Sequence, residues 1–513
     1  MTGSWLTSDF LPLPRPEYAK QTEALLTDLL WRSSGSSLSG TADAGGYFDD
    51  LVRTRSSTGE YDPRRLVAQK THGGSPKARE TYPIAVGTTL AGLIDRQPPG
   101  INPVSVILDS ILAPRARGDK SLACVPITPD VVVLQTLHGM VNKDSPANQA
   151  RAIEMVGWLG GSSGEGHVAS ILLSILAEDR SNATLPQLVT KTLQAMAQHT
   201  WSELGSGADN WRPWPAIAPI PPSSGRLHPL AAAHFTPFRW FWTKWAILCD
   251  PANGWRSALP SRRFADWSLC LLRTGLAFAY LWEAEFFRLL HRAIVDTRDG
   301  RSEAAASVLA LTSLVRGGAH LASIEPVDVP SSEKNSWPAL ETLLMQGYVA
   351  RDAIDAAVDQ QSNGLNLGTI EPGQLPDRLA AWIAEFSLTG AGELEENLQP
   401  ENNTAKNTRE FVRYLLVPRA SDDDTADQAD FYYVARSNQR NFWFEPGPEW
   451  LVVVCSLLAR RPRGHCTLGE LVDDLASLGI HNERAVLVRL LEEAGLSTDS
   501  PDADNALVIR SAF

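Results

Sequence analysis

The strongest local pattern in the sequence lies near its C-terminus, where a helix start is marked by its own residues. Thr467, Leu468, Gly469 and Glu470 form a capping-box sequence. In this motif the threonine hydroxyl and the glutamate carboxylate each accept a hydrogen bond from the other residue's backbone amide. A helix is therefore predicted to begin at Leu468. Its apolar residues recur at helical spacing, at Leu468, Leu471, Val472 and Leu475.

Segments on both sides of this helix complete a larger pattern. The apolar run that follows Pro448 favours a first helix, because proline is well tolerated at a first helical position. Gly479 supplies the turn after the second helix, and a third helix is predicted at 482–494, with Gly495 placed as a left-handed cap. A polar loop then leads to 506–509, the second strand of a predicted hairpin. Three helices and a hairpin predict a winged-helix domain.

The charges of this domain do not favour DNA binding. Residues 446–513 contain six arginines and ten acidic residues, a formal net charge of −4. The predicted wing loop carries three aspartates where a surface that follows phosphates should be basic. The domain is therefore expected to contact protein or to be structural, and a DNA-contacting domain and a different fold are the alternatives. If DNA is bound, the expected contacts are Arg460, Arg461, Arg463, Arg484 and Arg489.

The length of the chain, 513 residues, exceeds the size at which one hydrophobic core keeps growing, so several domains are expected. The predicted fold class is mainly α, with a multi-helix body (a bundle or an irregular solenoid), a small β-hairpin and the winged helix. The predicted divisions are an N-terminal helical domain (1–210), a proline- and tryptophan-rich strap or linker (211–228), a central aromatic-rich helical domain (229–418), an acidic linker and hairpin (419–445), and the winged-helix domain (446–513).

Helical periodicity and start signals predict most of the body to be α-helical. The predicted helices lie near 17–31, 83–95, 103–113, 129–141, 147–159, 166–179, 185–204, 267–294, 303–323, 338–359, 375–388 and 407–417. Nine of the sixteen tryptophans fall between Trp201 and Trp282, which predicts the main core there. Residues 226–300 also carry a net charge of +4, so an aromatic, basic surface that binds nucleic acid is the alternative.

Bulk composition narrows the class of protein. The formal charge of −13 excludes a protein that attracts nucleic acid through an overall positive charge. The five cysteines are too few, and odd in number, for a framework of disulfide bonds. The N-terminus has no basic leader, and the most apolar run, 267–282, is interrupted by Arg273. A cytoplasmic, prokaryotic protein without a membrane span is expected.

Motifs that would indicate catalysis or metal binding are weak. Residues 160–164 match GxSxG, with Ser162 as the nucleophile of a serine hydrolase, but that chemistry needs a strand before the serine and the preceding segment predicts a helix. Cys455, His465 and Cys466 give fewer than the four ligands of a structural zinc site. The carboxylate pairs Glu283/Glu285 and Asp473/Asp474 fit solvated helix faces. No enzyme activity, cofactor or metal is predicted.

The predicted layout is similar to that of accessory components of bacterial multi-gene DNA-defence systems, which also join a large helical body to a small winged helix. The resemblance implies a non-catalytic adaptor or accessory subunit of a multi-protein assembly that acts on DNA, as in anti-phage defence. Within such an assembly the subunit would contact DNA directly or through its partner proteins. The alternatives are a DNA-binding regulator that uses the winged helix and, less favoured, a serine hydrolase at 160–164.

Overall fold

The computed structural model describes residues 10, 11, 13–16, 25, 26, 29, 146–162, 168, 169, 171, 172, 175, 227–233, 236–317, 336–361, 370, 372–389, 394, 405–417, 431–438, 441–480, 484–497 and 506–513.

This part of the chain is mostly helical. Its α-helices are α1 (Pro146–Leu159), α2 (Pro237–Cys249), α3 (Trp255–Ala258), α4 (Ser261–Arg298), α5 (Ala304–Arg316), α6 (Ser336–Gln361), α7 (Leu375–Thr389), α8 (Lys406–Leu416), α9 (Pro448–Leu458), α10 (Leu468–Ala476) and α11 (Arg484–Glu493). Its strands are β1 (Tyr433–Asn438), β2 (Asn441–Pro446), β3 (His465–Thr467) and β4 (Val508–Arg510).

Helix α4 is the central element, and it packs against α2, α5, α6, α7 and α8. It has 38 residues and extends past both ends of the predicted 267–294 helix. Its residues are buried on nearly all sides between Phe264 and Ile294, as expected for a helix surrounded by other helices. The main core therefore lies where the tryptophan-rich sequence predicted it.

Two glycines allow close approach to α4. A Cβ atom at Gly347 of α6 would lie 2.3 Å from the carbonyl oxygen of Ala284, and one at Gly275 would lie 2.5 Å from the Phe241 ring. Both distances are shorter than real carbon contacts. Helices α2 and α6 thus reach α4 at positions where any larger residue would separate them.

Several predicted elements are confirmed with adjusted ends. The helices predicted at 147–159, 338–359, 375–388 and 407–417 correspond to α1, α6, α7 and α8, and residues 168, 169, 171, 172 and 175 are helical as predicted. The prediction at 303–323 was too long. Helix α5 ends at Arg316 because Gly317 takes a left-handed conformation, φ 86°, and closes the helix.

The hairpin near 437–441 is confirmed. Strands β1 and β2 are antiparallel, and Asn438 pairs with Asn441 across a two-residue connection. The helices predicted near 83–95, 103–113, 129–141 and 185–204, most of the 211–228 strap and the acidic run at 422–430 lie outside the described residues.

The C-terminal unit, residues 446–513, contains α9, β3, α10, α11 and β4. The capping box of Thr467 and Glu470 is present, and Gly479 and Gly495 have φ angles of 76° and 70°, as the turn and cap positions require. Strand β3 was not predicted. The hairpin prediction assigned the last strand to a partner near Leu496, whereas β4 pairs antiparallel with β3 and reaches Leu496 through one backbone hydrogen bond from Arg510.

Among the described residues, no helix combines the length and hydropathy that crossing a lipid bilayer requires.

Candidate interaction surface of the C-terminal unit

The C-terminal unit is joined to the body by a buried charge pair. Lys244 of α2 is 2% exposed, and its Nζ donates a hydrogen bond of 2.7 Å to Asp474 Oδ1 of α10. Trp240 Nε1, one turn earlier on α2, donates to the other carboxylate oxygen at 2.8 Å. We call Trp240, Lys244 and Asp474 the latch. The expectation that Asp473/Asp474 lie on a solvated face is wrong for Asp474, because α10 packs this side chain against α2, while Asp473 is exposed.

Tryptophan side chains supply further attachments between the C-terminal unit and the body. Trp255 Nε1 donates to the carbonyl oxygen of Arg460 at 2.9 Å, and Trp450 Nε1 of α9 donates to Thr274 Oγ1 of α4 at 2.9 Å. Each indole buries a large apolar area and satisfies its one donor. The position of the C-terminal unit on the body is thereby fixed by hydrogen bonds as well as by apolar packing.

Helix α11 presents a mixed outward face. Leu487, Leu490 and Leu491 are buried and face the unit's own core. The exposed residues of the helix are Arg484, Ala485, Val486, Arg489, Glu492 and Glu493. Two positive and two negative side chains therefore share this face. Arg489 also forms an ion pair of 3.4 Å with Glu493, one turn later.

The turn between α9 and β3 displays three exposed arginines, Arg460, Arg461 and Arg463, which we call the basic turn. Arg460 and Arg463 have positive φ angles, 67° and 58°, a conformation that favours glycine. The backbone holds them there, since Arg463 N donates to the carbonyl oxygen of Phe513 at 2.7 Å. Within the part of the chain that the structure describes, none of the three forms an ion pair.

Three further residues lie near the basic turn: His465, already weighed as a zinc ligand, and Arg510 and Arg256, which the sequence did not single out. His465 of β3 and Arg510 of β4 are paired across the small sheet, and both are exposed. Arg256 of α3 follows Trp255, whose indole binds the basic turn, and its guanidinium lies 5.2 Å from the centre of the Phe264 ring. The sequence does contain a signal for the exposure of Arg510. Successive residues of a strand point to opposite faces, so the apolar Ile509 is buried while Val508 and Arg510 are exposed. Nothing local marked Arg256.

The predicted arginines thus fall on two elements. The basic turn carries three of them, and α11 carries Arg484 and Arg489. The wing loop with its three aspartates lies outside the described residues.

The GxSxG sequence has a packing explanation. Ser162 is fully buried, and its backbone amide donates to the carbonyl oxygen of Gly157 at the end of α1. The element before the serine is a helix, so the strand that a nucleophile elbow needs is not in place. A Cβ atom at Gly160 would lie 2.1 Å from the carbonyl oxygen of Phe238, so this glycine lets the end of α1 contact α2.

The three residues weighed as zinc ligands do not converge. Cys466 is buried, whereas His465 is exposed, because successive residues of a strand point to opposite faces. Burial raises the pKa of the Cys455 thiol above its usual range and raises that of Cys466 to about 12, so both remain protonated thiols. Among the described residues, no group of three or more His, Cys, Asp or Glu side chains could hold a metal ion.

No family model, curated protein or solved structure matches the chain.

Proposed function

We propose that the protein is a non-catalytic adaptor or accessory subunit, and that residues 446–513 form a winged helix that binds a partner protein. The winged-helix assignment is supported by the order of α9, β3, α10, α11 and β4 and by the pairing of β3 with β4. In such a domain the third helix is the element that contacts a ligand. That helix is α11.

The outward face of α11 is the observation that carries the proposal. A helix that enters a DNA groove needs unpaired donors and a positive field. Glu492 and Glu493 would lie close to phosphates, and Arg489 is already paired with Glu493. The exposed apolar residues Ala485 and Val486 between these charges are instead typical of a small protein interface with a polar rim.

The attachment of the unit to the body supports the same proposal. The latch and the two tryptophan donors hold the C-terminal unit in one orientation. Binding of a partner to α11 therefore loses little conformational entropy, because the helix is already held in place. The similarity in layout to accessory components of bacterial anti-phage systems extends the proposal to an assembly that acts on DNA.

A co-purification experiment tests the adaptor proposal. The tagged protein is isolated from its native lysate, and the co-eluting proteins are identified by mass spectrometry. We expect a defined partner that no longer co-elutes with the Val486→Glu/Arg489→Glu variant. The matched control is Leu388→Glu/Arg378→Glu on α7, which likewise changes one exposed apolar residue and one exposed arginine.

Two outcomes would contradict the proposal. One is that the protein elutes alone at every salt concentration. The other is that the α11 variant and the α7 control retain or release the same partner to the same extent.

A second candidate function, direct DNA binding, is favoured by the basic turn. An arginine in a left-handed conformation costs about 1–2 kcal/mol relative to the ordinary helical or extended regions. Two such arginines within four residues are held in strained positions where glycine would be more stable, and strain of this kind is frequently retained at binding sites. With the exposed Arg510 on β4, the basic turn would neutralise backbone phosphates without reading base sequence.

The DNA proposal is tested by fluorescence anisotropy with a labelled duplex at several salt concentrations. Replacing Arg460, Arg461 and Arg463 with alanine should weaken binding for every sequence and reduce the salt slope by roughly 0.9 for each phosphate that is no longer neutralised. The control is Arg484→Ala/Arg489→Ala on α11. Salt-independent binding, or equal weakening in the control, would refute a role for the basic turn.

A further inference from the structure

A proline-rich segment near the N-terminus, of which the structure describes residues 10, 11 and 13–16, lies between α4 and α6. Its sequence places prolines at 12, 14 and 16. Proline fixes φ, lacks an amide hydrogen and biases the residue before it toward extended conformations. Such a segment forms neither a helix nor an inner strand. It favours the polyproline II conformation, whose carbonyl groups stay free to accept hydrogen bonds.

The groove between α4 and α6 supplies donors for two of these carbonyl groups. Tyr280 of α4 donates its hydroxyl to the carbonyl oxygen of Pro14 at 2.6 Å. Arg351 of α6 donates from both Nη atoms to the carbonyl oxygen of Leu13 at 3.4 Å. Both donors are buried, so they are directed at the segment and not at solvent.

A buried carboxylate positions the groove side chains. Glu283 is 0% exposed and accepts hydrogen bonds from Arg351 Nη1 at 2.7 Å and from the Tyr348 hydroxyl at 2.6 Å. Burial raises the pKa of Glu283, and the nearby Arg351 guanidinium and Tyr348 hydroxyl counteract part of the rise. The expectation that Glu283 and Glu285 lie on a solvated helix face is therefore wrong, since Glu285 is also buried and accepts hydrogen bonds from Arg288. The groove is built around a charge pair in the core.

The side chains of the segment also fit the groove. Leu11 and Leu13 are 0% and 1% exposed, and the Phe10 ring lies 5.4 Å from the Phe286 ring, centre to centre. At the open end, Arg15 pairs with Asp352, and its guanidinium lies 5.2 Å from the centre of the Tyr348 ring. Proteins bind proline-rich peptides in grooves lined by aromatic side chains. This groove adds donors directed at the backbone and an acidic residue that pairs with the arginine.

We propose that the α4/α6 groove is a binding site for proline-rich segments with the pattern Leu-Pro-Leu-Pro-Arg-Pro, and that residues 10–16 are its internal occupant, exchangeable with such a segment of a partner protein. Most of the hydrogen bonds between the groove and the segment go to backbone carbonyl groups, which every peptide with this pattern has. The Arg15–Asp352 pair is open to solvent, since the two side chains are 39% and 53% exposed. This site is separate from the C-terminal unit and stands independently of the function proposed for it.

The internal segment must compete with a ligand in solution. A tethered occupant acts at an effective concentration of about 1 mM. A peptide that would bind the empty groove at micromolar concentration therefore binds the intact chain far more weakly. Reversing Arg15 to glutamate repels the internal segment from Asp352 and should make the groove available.

The test uses the full chain and a fluorescein-labelled peptide with the sequence of residues 8–18, followed by fluorescence anisotropy. We expect the Arg15→Glu chain to bind the peptide at least about tenfold more tightly than the unmodified chain. The double variant Arg15→Glu/Asp352→Lys restores an attractive pair within the chain, so hydrogen exchange at its Leu11 and Leu13 amides should return to the level of the unmodified chain. Arg15→Gln is a milder version, with an intermediate effect.

The matched control is Arg316→Glu, which breaks another exposed Arg–Asp pair, Arg316 with Asp377 between α5 and α7. It should leave peptide binding unchanged. Hydrogen exchange at the amides of Leu11, Leu13 and Arg15 reports release of the internal segment. The proposal is overturned if the segment is released without peptide binding at 1 mM, if the segment is not released by either Arg15 variant, or if the control binds peptide as tightly as Arg15→Glu.

Discussion

Replacing Asp474 with alanine tests whether the latch holds the C-terminal unit on the body. The substitution leaves the Lys244 ammonium, 2% exposed, without the carboxylate that it binds at 2.7 Å, and leaves Trp240 Nε1 without its acceptor. Removing one partner of a buried pair costs about 3–5 kcal/mol, because the other charge stays buried. Asp474 itself is 13% exposed, so water can partly replace it. We therefore expect destabilisation near the lower end, about 3 kcal/mol.

The double variant Lys244→Met/Asp474→Leu separates the cost of an unpaired buried charge from that of the missing hydrogen bonds. With both charges gone, apolar side chains of similar volume fill the site, and such replacements are often neutral. Trp240 still lacks an acceptor, which costs about 1 kcal/mol. The double variant should therefore be more stable than Asp474→Ala by roughly 2 kcal/mol.

Urea unfolding and hydrogen exchange measure these effects. Exchange in α10 should accelerate in Asp474→Ala, since the C-terminal unit loses its attachment to α2. The matched control is Asp473→Ala, which removes an exposed carboxylate from the adjacent position and should change stability by less than about 0.5 kcal/mol. Equal effects of Asp473→Ala and Asp474→Ala would refute the reasoning, as would a double variant less stable than Asp474→Ala.

Three further predictions concern strain, the buried network and the thiols. Arg463→Gly should stabilise the protein by about 0.5–1 kcal/mol in urea unfolding because it relieves a positive φ angle, whereas Arg461→Gly, where φ is not positive, should destabilise it. Glu283→Ala should cost about 3–5 kcal/mol and should accelerate hydrogen exchange at Leu13, since Arg351 loses its buried partner; an unchanged midpoint would contradict this. Cys466 should resist iodoacetamide at pH 8, as read by mass spectrometry. Because burial raises its folded pKa to about 12, its contribution to stability is full below the unfolded pKa, roughly 8.5, and is lost as pH rises toward 12.

Local sequence determined the elements whose boundaries are set by neighbouring residues. The capping box at Thr467 and Glu470, the left-handed cap at Gly495 and the hairpin between Asn438 and Asn441 follow from backbone chemistry within four residues, and all three are confirmed. The concentration of tryptophans also located the core, because large apolar side chains gain the most from burial.

The tertiary structure decided which polar residues are buried and which strands pair. Glu283 and Asp474 have the periodicity of solvated helix faces, yet Glu283 meets Arg351 and Asp474 meets Lys244, residues 68 and 230 positions away in the chain. Strand β3 has only three residues and forms because β4 supplies its hydrogen-bond partners. Long-range pairs of this kind leave no local pattern, since each partner's short-range neighbours are compatible with both exposure and burial. For the same reason, the capping box could predict a helix in the C-terminal unit but not the side of that helix that would bind the body.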